Sequence, residues 1–114
     1  MIFFSIIAAA SAAIAPLDPV SEADLRCVAA LADAISKTTD EKQISVNSIG
    51  LFYFLGKIDG RYHGFDLGAQ LYRLISQSDI SAKIDSELNR CRAELVKRAN
   101  EMGAAAQQLE KASK

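Results

Sequence analysis

At 114 residues the chain is long enough for one domain with one modest core and too short for two. Half of the residues are hydrophobic and 24% are charged, which is globular composition and excludes an intrinsically disordered chain. Thirteen basic residues stand against fourteen acidic ones, and a formal net charge of -1 leaves no electrostatic footprint for nucleic acid or an anionic membrane surface.

The chain opens MIFFSIIAAASAAIA and has no charged side chain before Asp18. An apolar run ending in small residues is the pattern of a secretory signal peptide. Ser11 and Ala13 suit the two small-residue positions before the cut, which releases Ile14; a cut after Ala15 is disfavoured because Pro16 follows. A membrane span needs about 20 apolar residues, and this run is shorter. The expected product is periplasmic or secreted, with no membrane attachment after cleavage. Residues 1–13 are thus expected to be a signal peptide, 14–20 a linker, 21–102 a helical domain and 103–114 a fraying tail.

Ser21 with Asp24 resembles a capping box opening the first helix. Leu25, Val28, Ala29, Ala32 and Ile35 recur at helical spacing, and Cys27, Ala30, Leu31 and Ala34 fill most of the rest, so this helix is expected to be covered on most sides. That demand for cover allows a homodimer. Thr39 or Asp40 is expected to cap a second helix with Ile44, Ser48, Leu51, Phe52, Leu55 and Ile58 facing inward, stopped at Asp59-Gly60. Gly56 costs this helix about 1 kcal/mol relative to alanine, which predicts a close helix approach there. Asp66 is expected to cap a third helix with Leu67, Leu71, Leu74 and Ile75 on one side. Ser78 is expected to cap the last and longest, with Ile80, Ile84, Leu88, Cys91, Leu95 and Met102 along one stripe and Glu87–Arg90 and Glu94–Arg98 as helical ion pairs. No stretch alternates with period two, so the fold class is all-α: a small four-helix bundle-like domain.

Leu51 to Asp66 holds Phe52, Tyr53, Phe54, Tyr62 and Phe65, punctuated by Gly56, Gly60 and Gly64, and the other segments must pack around it. Cys27 and Cys91 are the two cysteines, on two helices of a chain expected to enter an oxidising compartment, so a disulfide between them is favoured over two buried free thiols. Ligands this far apart, without a neighbouring Cys or His cluster, do not fit zinc. His63, the only histidine, lies near Asp59 and Asp66, but no nucleophile or metal signature accompanies it. Neither an enzyme nor a cofactor or metal site is expected.

A cysteine on the first helix, an aromatic-glycine segment (Phe52, Tyr53, Phe54, Gly56, Asp59-Gly60) and a second cysteine on a later helix resemble the small periplasmic HdeA-type acid-stress chaperones. The resemblance covers Cys27 to Cys91 and implies an all-α protein stapled by one disulfide that binds unfolded clients in acid. Protonation of the carboxylates at low pH is then expected to loosen the helices and expose Phe52, Phe54 and Phe65. The alternative expectation is an interaction or inhibitor protein that touches an envelope partner through the Gly60–Gly64 loop, with Arg61, Tyr62 and His63 as contacts.

Overall fold

The computed structural model describes residues 14–113; the expected signal peptide, residues 1–13, lies outside the described residues. Four helices and no strand are found among them: α1 (Pro19–Ser36), α2 (Glu41–Arg61), α3 (Leu67–Ile75) and α4 (Ile80–Ala112). The all-α expectation holds, and Cys27 is joined to Cys91 with their Cα atoms 5.6 Å apart. The helices gather around α1, which touches each of the other three.

The N-terminal end of α1 corrects the expected cap. Asp18 is the cap residue, its carboxylate accepting from the Ser21 amide at 3.2 Å, and Pro19 occupies the first turn, where its missing N–H leaves nothing unpaired. Starting the helix inside the expected linker turns Ser21 and Asp24 inward, and both are buried. Leu25, Val28 and Leu31 continue that face into the core.

Asp40 caps α2 as expected, accepting from the Lys42 amide at 3.0 Å. The helix does not stop at Asp59-Gly60 but runs to Arg61, with the Tyr62 amide still donating to the Ile58 carbonyl at 3.0 Å. The residue in the left-handed conformation is Gly64, at φ 70°, one position where glycine relieves the turn. The inward face also differs from expectation. Asn47, Gly50, Phe54 and Ile58 are buried, at steps of three and four, while Phe52 is 67% exposed. Three consecutive aromatics satisfy two helical phases equally well, and Gly50 selects this one. A Cβ on Gly50 would lie 2.5 Å from Leu95 Cδ1 and 3.2 Å from Leu31 Cδ1, whereas one on Gly56 would meet nothing within 4 Å. The close helix approach is therefore at Gly50 and not at Gly56.

Asp66 caps α3, accepting from the Ala69 amide at 3.0 Å. Leu74 is buried with Leu67 and Leu71 packed beside it, but Ile75, expected on the same side, is exposed. The residue before α4 is Asp79, not Ser78, and it makes no side-chain capping bond. Ile80, Ile84, Leu88, Cys91 and Leu95 then lie against the core. Beyond Leu95 every described residue is exposed, yet α4 continues through Gly103 to Ala112. Helical hydrogen bonds are satisfied within the helix itself, and the alanines of this stretch are the strongest helix formers. The resulting shape, 71 × 31 × 23 Å, is a body with one projecting helical arm.

Candidate functional site

Asp24 is the centre of the body's electrostatics. It is 2% exposed on a face otherwise made of Leu25, Val28 and Leu31, and a buried carboxylate is tolerated only when its oxygens are paired. Both are. Lys57 Nζ donates to Oδ1 at 3.1 Å and Arg61 Nη1 to Oδ2 at 2.8 Å, while Arg61 Nη1 also reaches the buried Ser21 hydroxyl at 3.1 Å. Lys57 and Arg61 sit one turn apart on α2, which puts both heads over the same point of α1.

From Lys57 the network crosses to α4. Its ammonium donates to Glu94 Oε2 at 2.8 Å, the Tyr53 hydroxyl donates to the same oxygen at 2.9 Å, and Arg98 Nε donates to that hydroxyl at 3.1 Å. The ammonium also stands 5.5 Å from the centres of the Tyr53 and Phe54 rings, within cation-π range. Burial pushes the Lys57 ammonium toward neutrality, but its bonds to Glu94 and Asp24 outweigh that and raise its pKa. Burial likewise pushes the Glu94 carboxyl up, and the bonds from Lys57 and Tyr53 more than offset it, leaving the pKa lowered.

Two further pairs tie α1 to the C-terminal half. Glu87 on α4 accepts from Arg26 Nε of α1 at 3.0 Å and from its neighbour Arg90. Burial raises its pKa, the arginine bonds lower it, and the arginines win. Glu22 of α1 pairs with Arg73 of α3. Arg90 also lies over the staple, its Nη2 3.2 Å from Cys27 Sγ and 3.1 Å from the Ala23 carbonyl oxygen. The expected Glu94–Arg98 pair is not formed: Glu94 takes Lys57, and Arg98 pairs with Glu101 at 2.7 Å.

The expected binding residues are not brought onto one surface. Phe54 is at 0% exposure and Phe65 packs against the core. Arg61 is committed to Asp24, and Tyr62 exchanges bonds with Asp18, donating its hydroxyl to the carboxylate and accepting from the Asp18 amide at 3.1 Å. The Tyr62 bond is the main reason Asp18 is held at a pKa of about 2, with the Ser21 bond second. Phe52 and His63 remain at the surface. Among the described residues no group of three or more His, Cys, Asp or Glu is arranged to hold a metal ion, and no helix is long and apolar enough to cross a membrane.

Asp24, Lys57 and Glu94 carry the network and were missed as a group. The signal was present: Asp24 shares its helix face with Val28 and Leu31, and Lys57 and Arg61 flank Ile58 on the inward side of α2. The chain matches no protein-family model, no curated protein and no solved structure.

Proposed function

We propose that the chain is an exported, non-catalytic helical protein whose four-helix bundle opens in acid and holds unfolded client proteins, the activity its resemblance to HdeA-type chaperones implies. One observation carries this reading. Among the described residues, every ion pair between two different helices rests on one of four carboxylates: Glu22 to α3, Asp24 to α2, and Glu87 and Glu94 on α4. Protonating them removes the negative half of each pair and leaves Arg26, Lys57, Arg61 and Arg73 unopposed.

The sign of the pH effect follows from linkage. The pKa values of Glu87 and Glu94 are lowered in the folded protein, so their contribution is present above the unfolded carboxylate range, about pH 4.5, and is lost as pH falls through the folded values. With all carboxylates neutral, the Lys and Arg side chains and His63 carry a charge of about +14, which adds repulsion. The Cys27–Cys91 bond persists in acid and keeps α1 against α4. Opening therefore frees α2 and α3 and uncovers Phe54, Ile58 and Phe65. A stable disulfide also fits an oxidising compartment.

The test is light scattering from an acid-denatured client at pH 2.5, with and without the disulfide-intact protein. The proposal expects suppressed aggregation at pH 2.5 and little at pH 7. Equal scattering with and without the protein in acid would contradict it.

A further inference from the structure

Between the N-terminal half of α2 and α4 lies a cleft of about 440 Å³, lined by Asp40, Lys42, Gln43, Val46, Asn47 and Arg92. Lys57 and Arg61 are spent on holding helices together, whereas Lys42 and Arg92 enter no ion pair among the described residues. Asn47 decides what the cleft is for. It is 5% exposed, yet its side-chain amide makes no hydrogen bond to any described residue. An amide sealed away without a partner carries its full desolvation cost, and among the described residues no fully enclosed side-chain nitrogen or oxygen is left in that state. The Asn47 amide therefore opens into the cleft it lines, with its hydrogen-bonding capacity unused by the chain.

Next to this polar cleft is a trough with no polar side chain. Val46 lines both, and beyond it Ile49 and Gly50 of α2 face Leu95, Val96 and Ala99 of α4 around about 260 Å³. Val46, Ile49 and Val96 are each more than half exposed. Arg92 and Val96 stand one turn apart on α4, as do Asn47 and Gly50 on α2, so the polar cleft runs on into the apolar trough.

We propose that this continuous cleft binds a medium-chain fatty acid, with its carboxylate between Lys42 and Arg92 and its acyl chain along Val46, Ile49 and Val96. Charge chooses the head group. Asp40 is already engaged as the α2 cap by the Lys42 amide, and one carboxylate against two cations leaves the polar cleft at +1, which matches a single negative charge. The Arg92 guanidinium can take a carboxylate through two donors, and the Asn47 amide supplies a neutral one. Length chooses the tail: from Arg92 to Ala99 α4 rises about 10 Å, which spans an acyl chain of about ten carbons. The two volumes together fall within the roughly 300–1,000 Å³ of small-molecule sites, which combine apolar walls with a few placed polar groups. The inference concerns the closed body at neutral pH and does not depend on the acid-opening reading.

The test is isothermal titration calorimetry of decanoate into the purified, disulfide-intact chain at pH 7. Saturable binding at one site per chain is expected. Acetate offers the head alone and decyltrimethylammonium offers the same chain with the opposite charge; each is expected to bind at least tenfold more weakly than decanoate. Lys42→Ala with Arg92→Ala removes two exposed side chains and is expected to weaken decanoate binding at least tenfold without lowering the melting temperature. Asn47→Asp keeps the shape, replaces the donor by a second carboxylate and is expected to weaken it at least tenfold as well. Absence of saturable decanoate binding, acetate or the cationic amphiphile binding as tightly as decanoate, or an affinity unchanged by either variant each overturns the proposal.

Discussion

The two halves of α4 share one stripe of apolar residues and have opposite fates. Ile80 to Leu95 is bound to the body by Leu88, Leu95, the Cys91 bond and the Glu87 and Glu94 pairs, while Val96 to Ala112 buries no residue and its one hydrogen bond to another helix among the described residues is Arg98 Nε to the Tyr53 hydroxyl. Both halves are helical because helix hydrogen bonds are local. Only the first is packed into the core, so it holds the residues that determine stability.

Breaking the bound half should therefore cost most. Replacing Cys27 and Cys91 together by serine reopens a loop of 64 residues, and chemical denaturation should show a loss of about 4 kcal/mol. Asp24→Ala leaves Lys57 and Arg61 facing each other across an apolar face. Because both cations keep some contact with solvent, the expected loss is about 3 kcal/mol, the lower end for a broken buried pair, read from the same titration. The two glycines of α2 sharpen the contrast. Gly50→Ala drives a methyl into Leu95 and should lower stability by about 1 kcal/mol after the gain in helix propensity. Gly56→Ala enters open space and should raise the melting temperature, by up to about 1 kcal/mol in stability. On the arm, where Leu109 is exposed, Leu109→Ala should change stability by less than about 0.5 kcal/mol in the same denaturation.

The same contrast explains what was readable in advance. The Asp40 and Asp66 caps, the α3 and α4 starts within a residue, and the Cys27–Cys91 bond follow from local chemistry and pairing arithmetic. Misreadings arose where a residue had two local uses. Ser21 and Asp24 form a plausible cap pair, and only the presence of Lys57 and Arg61 across α1 makes Asp24 a buried anchor. Phe52, Tyr53 and Phe54 fit two helical phases, and the choice is made by Leu95 and Leu31 closing on Gly50, a contact 45 residues away for Leu95. Gly60 lies inside α2 because Ile58 and Arg61 are anchored on either side of it, so the left-handed turn moves to Gly64. Periodicity identified an apolar face on α4 but not where its cover ends.

Acid opening of the body is tested most directly by near-ultraviolet circular dichroism of the disulfide-intact protein from pH 7 to pH 2, with the far-ultraviolet signal recorded in parallel. The aromatic signal of Tyr53, Phe54 and Tyr62 is expected to collapse as pH falls below the ordinary glutamate value of 4.5, through the lowered pKa values of Glu87 and Glu94, while most helix remains. An aromatic signal unchanged at pH 2 would contradict it.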